Sequence, residues 1–125
     1  MVILDTNLLI EHLRMGHKSL RLEKLLDKYG IDNLSVSTVS IQELFSGASS
    51  IKQENEILAL LATLKIWVYD HESAKKAGEI ERDFVREIEF ADAAIAATCV
   101  INKCQLATLN RKDFEGIKGL EMVKI

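Results

Sequence analysis

The chain has 125 residues, the size of one domain at roughly 100–200 residues each, and its 48% hydrophobic content can build a core without disulfides or a structural metal. Its 16 basic and 19 acidic residues leave a formal charge of −3, which excludes attachment to nucleic acid or an anionic membrane by bulk basicity. Apolar runs such as Ile57 to Leu64 fall far short of the roughly 20 residues that cross a bilayer, so no membrane partner is expected. The start, Met1-Val2-Ile3-Leu4-Asp5, shows neither a basic leader nor a small-residue cleavage site, and a cytoplasmic location is expected.

Residues 1–125 read as a single domain, with no repeat, linker or proline. Val2 to Leu4 is a short apolar strand that stops at Asp5, and Leu8, Leu9, Ile10, Leu13 and Met15 follow at helical spacing. Lys18 to Tyr29 predicts a second helix with Leu22, Leu25, Leu26 and Tyr29 as its stripe and Gly30 as its C-terminal cap. Leu34 to Ser37 reads as a strand, Thr38 to about Ala48 as a helix, and about 52–64 as another with Ile57, Leu58, Leu60, Leu61 and Leu64 inward. A third strand over Ile66 to Tyr69 precedes a charged helix over about 72–88, whose core face is Ala77, Ile80, Phe84 and Ile88. Ala91 to Asn102 is almost entirely small or apolar and predicts a helix buried on most sides. Gln105 to Leu109 and Leu120 to Ile125 are the last strands, separated by a turn of helix around Lys112 to Ile117. Short apolar strands alternating with helices predict a three-layer α/β/α fold around a mainly parallel sheet of about five strands.

Ligands of open α/β sheets bind beyond the carboxyl ends of the strands, and several acids fall there. Asp5 follows the first strand, Asp92 opens the small-residue helix above Ile95, Ala96 and Cys99, and Asp113 follows the fourth strand. Glu43 lies within two helical turns of the end of the second. Each has a plainer explanation: a helix N-cap for Asp5, a dipole-facing acid for Asp92, a capping box of Asn110 with Asp113, and a solvated helix acid for Glu43. Together they make a different case. Four converging carboxylates with no paired lysine or arginine in their motifs repel one another, and magnesium or manganese relieves this through oxygen ligands and retained waters. Such a site suits phosphodiester hydrolysis. Without these four acids the chain carries +1, and Arg14, Arg82, Arg86, Arg111 and Lys112 are available to a nucleic-acid backbone. Cys99 and Cys104 read as reduced, buried thiols, and His12, His17 and His71 as surface residues.

The order and spacing of four segments carry a resemblance. They are Leu4-Asp5-Thr6-Asn7, Ser40-Ile41-Gln42-Glu43-Leu44-Phe45-Ser46-Gly47-Ala48, Phe90-Ala91-Asp92-Ala93-Ala94-Ile95-Ala96-Ala97, and Ala107-Thr108-Leu109-Asn110-Arg111-Lys112-Asp113-Phe114. The chain resembles PIN-domain ribonucleases, and among them the VapC-type toxins of toxin–antitoxin pairs. The resemblance implies a magnesium- or manganese-dependent endoribonuclease with Asp5, Glu43, Asp92 and Asp113 as catalytic and metal-binding acids and Thr6, Thr108 and Asn110 as supporting polar groups. It also implies RNA cleavage leaving a 5′-phosphate and a 3′-hydroxyl, a homodimer, and silencing by a small cognate antitoxin that inserts a segment near the acids. Leu109 stands where many relatives carry an arginine, with Arg111 as a substitute, and Asn110 stands where some carry an acid.

Two other readings stay open on the residues alone. One is a catalytically idle scaffold of the same fold that binds RNA or protein. The other is a phospho-acceptor signalling domain, with Asp70 as acceptor and Lys124 late in the chain, although only Asp5 ends the first strand.

Overall fold

Successive side chains of a strand point to opposite faces of its sheet, so a strand made only of apolar residues needs a covering layer on each side. In the computed structural model, which describes residues 1–15 and 20–125, Val2–Leu4 forms such a strand, β1. Val2 and Leu4 enter one core cluster and Ile3 the other, and both faces of the strand are covered. β2 (Leu34–Ser37), β3 (Lys65–Trp67) and β4 (Gln105–Ala107) complete a parallel sheet in the order β3-β2-β1-β4, with Val2 beside both Leu34 and Gln105.

Four helices, α1 (Thr6–Met15), α2 (Leu20–Tyr29), α3 (Thr38–Ser46) and α4 (Ile51–Leu61), bury Leu8, Leu9, Leu22, Leu25, Leu44 and Ile57 against the Val2 face. On the Ile3 face lie α5 (His71–Asp83), α6 (Phe90–Asn102) and α7 (Arg111–Phe114), through Ala77, Ile80, the α6 alanines and Phe114. This is the three-layer α/β/α arrangement that the sequence predicts. Every residue from Ala93 to Cys99 is buried, as its small apolar character requires. Gly30 closes α2 at φ 78, its amide donating to the Leu26 carbonyl at 2.8 Å, a left-handed conformation that favours glycine.

The sheet has four strands rather than about five. The segment 120–125 makes one parallel bridge, Leu106 to Met122, and no ladder. Arg111 Nη1 donates to the Val123 carbonyl at 2.8 Å, taking the acceptor that a continuing pairing would need. The charged helix also ends early, at Asp83 instead of about 88. Phe84 turns extended at φ −72, ψ 135, and both Phe84 and Ile88 reach the core from a loop rather than from a helical face. Leu26 and Leu58, predicted inward, are exposed. His17 and the Lys18 start of the second helix lie outside the described residues.

From β1 the chain steps outward to β2 and β3, then returns to place β4 on the other flank of β1. The crevice beyond the carboxyl ends of β1 and β4 is therefore the switch point at which α/β sheets bind ligands.

Candidate active site

Asp5 is the first residue beyond β1, and its amide donates to the Ala107 carbonyl of β4 at 2.9 Å. Its carboxylate does not cap the helix in the usual way, which would take the N2 or N3 amide. Instead Oδ1 accepts the adjacent Thr6 amide at 2.8 Å, and Oδ2 accepts the Thr108 hydroxyl at 2.7 Å from beyond β4. Thr108 in turn accepts the Asn110 amide at 3.0 Å. Burial raises the Asp5 carboxyl above its ordinary range; the Thr108 and Thr6 hydrogen bonds oppose this, and Glu43 and Asp113 add to it. The acid is thus held in one orientation with its charge only partly compensated.

A second carboxylate is held the same way. Thr6, buried at the start of α1, places its hydroxyl 2.6 Å from Glu43 Oε1 and 2.8 Å from Ser40 Oγ. That hydroxyl carries a single hydrogen, so it serves the carboxylate while Ser40 supplies the other contact. Ser37 starts α3 by accepting the Val39 amide at 3.1 Å, which sets the helix phase that brings Ser40 and Glu43 round to Thr6.

Asp92 stands half-buried in the first turn of α6. Burial, followed by the charges of Asp5, Glu89, Asp113 and Glu43, pushes its carboxyl up to about 6. The four acids singled out from the sequence therefore share one end of the sheet, near enough for the charges of Asp5, Glu43 and Asp113 to act on Asp92. Asp113 is exposed on the rim, where a cavity of about 320 Å³ is lined by Asp92, Asp113, Glu89, Glu87, Ile88 and Arg86. The capping box is not formed, since the Asn110 side chain makes no cap hydrogen bond. Asn110 supports the site through its backbone amide, whereas Thr6 and Thr108 orient carboxylates directly.

Sequence reasoning missed Ser40 and Glu89. Each lies three residues before a selected acid, on the same helical side as Glu43 and Asp92 respectively, and that spacing was the available signal. Asp70, by contrast, is a helix cap: its Oδ1 accepts the Ser73 amide at 2.9 Å, which holds its carboxyl below the usual range. The phospho-acceptor reading places its acceptor at the end of the third strand, whereas β3 ends at Trp67, three residues before Asp70. Cys99 and Cys104 are free and buried, with burial pushing both thiols up. His12 is not a surface residue; it is half-buried, with Nδ1 enclosed and unpartnered among the described residues.

No ion pair among the described residues involves Asp5, Glu43, Asp92 or Asp113. Nor do three or more such groups close into a ready-made metal cage among the described residues. The set is one of hard carboxylate oxygens carrying unneutralised charge. It suits a cation that keeps several of its own waters, as magnesium does, better than one needing a complete protein shell.

Fold and site together define a parallel α/β/α domain with an acidic centre at its switch point, and comparison with known proteins makes the assignment specific. Residues 2–120 match the PIN domain family. Ribonuclease VapC10 of Mycobacterium tuberculosis is 34% identical over 113 residues, covering 88% of this chain and 83% of that protein. A toxin–antitoxin complex from Klebsiella pneumoniae superposes with a TM-score of 0.80 at 26% identity over 100% of both chains. The fold is shared with VapBC2 from Rickettsia felis, solved bound to a promoter DNA fragment, at a TM-score of 0.81 and 20% identity over 98% of each chain. The chain belongs to the PIN-domain family, among its VapC ribonucleases.

Proposed function

We propose that the chain is a divalent-cation-dependent endoribonuclease and the toxin of a toxin–antitoxin pair. The observation that carries this reading is the convergence of Asp5, Glu43, Asp92 and Asp113 at the switch point with no basic partner among the described residues, Asp5 and Glu43 each locked by a threonine hydroxyl. Asp5 and Asp92 are the principal metal ligands and Glu43 and Asp113 complete the set. A bound magnesium or manganese ion supplies a water of lowered pKa and neutralises charge on the scissile phosphate and its leaving oxygen.

The chain's own residues do the rest. Thr108 and the Thr6 amide fix Asp5, so that both of its oxygens are committed before substrate arrives. Thr6 turns Glu43 toward the same crevice. Asp113, exposed on the rim, meets the RNA side of the site, and hydrolysis leaves a 5′-phosphate and a 3′-hydroxyl. For the antitoxin, support comes from the relatives of known structure and from a groove of about 500 Å³ that shares Glu43 and has Ile10, Leu13, Leu44 and Ile57 along it. We propose that a segment of the antitoxin occupies this groove and that the toxin acts as a homodimer.

The test is cleavage of total RNA by the purified chain with magnesium, with manganese and with chelator, alongside Asp92→Asn. Discrete fragments that require metal and are absent with the variant are expected. Folded, antitoxin-free protein that cleaves in neither metal would overturn the reading in favour of the idle scaffold.

A further inference from the structure

The structure separates the five basic side chains available to a nucleic acid. Arg82 is neutralised by Asp83, through Nε at 2.8 Å and Nη2 at 2.9 Å. Arg111 donates to the Val123 carbonyl and does not line the cavity that holds Asp92 and Asp113, and Arg14 lines the groove that contains Glu43. Of the five, only Arg86 lines the cavity of about 320 Å³ that holds Asp92 and Asp113.

Arg86 is held but not neutralised. Its Nη2 donates to the Glu115 carbonyl at 2.7 Å, and its guanidinium carbon lies 5.0 Å from the centre of the Phe84 ring. Both partners are uncharged, and among the described residues no carboxylate pairs with it. A guanidinium has five N–H donors in a rigid fork that matches a phosphate. One is used on Glu115, and the fixed geometry lowers the ordering cost of engaging a ligand with the others. The surrounding rim, Glu87, Glu89, Asp92 and Asp113, repels an approaching phosphate, and Arg86 is the cation placed within it.

We propose that Arg86 binds a backbone phosphate of the RNA beside the acidic centre, an inference that rests on the ribonuclease reading above. The same contacts also tie the loop before α6 to the turn after α7, so a purely structural strap must be told apart from a phosphate ligand. The charge on Arg86 does this, because neutralising one phosphate on a single strand contributes about 0.7 to the slope of log affinity against log salt, and a strap contributes nothing.

The experiment measures binding of a labelled, unstructured oligouridylate to the full-length Asp92→Asn chain in chelator across a salt series, with Arg86→Gln and Arg86→Lys added in turn. Arg86→Gln is expected to lower the slope by about 0.7, and Arg86→Lys, which keeps the charge but not the fork, to restore it. Both variants lose the fork's hydrogen bond to Glu115 and are expected to unfold at a somewhat lower temperature, so binding is read where thermal unfolding shows all three chains folded. An unaltered slope in Arg86→Gln, a lysine variant that behaves like glutamine, or no oligouridylate binding even at low salt would overturn the proposal. Cleavage of total RNA by the parent in magnesium, run in parallel, shows whether the ribonuclease reading survives such a result or falls with it.

Discussion

Asp92 illustrates how a site of this kind strains the protein that carries it. Its carboxyl sits at about 6 in the folded chain and near 4 in an unfolded one. Between those values the folded state binds more protons, so stability contributed by this group is fully present below about 4 and is lost as pH rises through about 6. In chelator the thermal midpoint should be higher at pH 5 than at pH 7, and Asp92→Asn should remove much of that difference while abolishing cleavage. A parent that is equally stable at both pH values would contradict the electrostatic account. Thr108 acts through Asp5, and Thr108→Val strips one donor from a buried carboxylate while also orphaning the Asn110 amide. A fall in activity of about 10–100-fold is expected, in line with losses of groups that orient metal ligands, together with about 1–3 kcal/mol of stability, read from cleavage rates and denaturant unfolding.

Among the elements, α6 has least freedom to change. Ala94 is fully buried, and Ala94→Glu places a carboxylate there with no cation to meet it, so a loss of about 3–5 kcal/mol is expected in denaturant unfolding. A variant as stable as its parent would refute the burial of this helix. The start of α5 makes the opposite case. Asp70 caps it from an exposed position, so Asp70→Ala should lower the denaturant midpoint slightly through the lost cap and leave RNA cleavage intact. Loss of cleavage in a folded Asp70→Ala chain would assign Asp70 a role that its hydrogen bonds do not suggest.

At the scale of the whole molecule, the parts legible in the sequence are those written in local pattern. The strand ending at Asp5 and the small-residue stretch of α6 are recognisable from spacing alone, whereas Glu43, in the middle of α3, stands out only beside the other three acids and in the family resemblance. The missing fifth strand is not legible, because Arg111 decides it by claiming the Val123 carbonyl from 12 residues away. Nor is the early end of α5, where Phe84 and Ile88 keep helical spacing but pack from a loop whose Arg86 is tied to Glu115. The family resemblance marks Thr6 and Thr108 as supporting groups, yet only the assembled sheet shows that each fixes a particular carboxylate.

The hydrogen bond from Thr108 to Asp5 spans 103 positions, and it bears on the timing of synthesis. An emerging polypeptide that has not yet delivered β4 holds Asp5 without its partner hydroxyl, without the Ala107 carbonyl and without Asp113. The acidic site is thus built from segments more than a hundred positions apart and is complete only when β4 has joined β1.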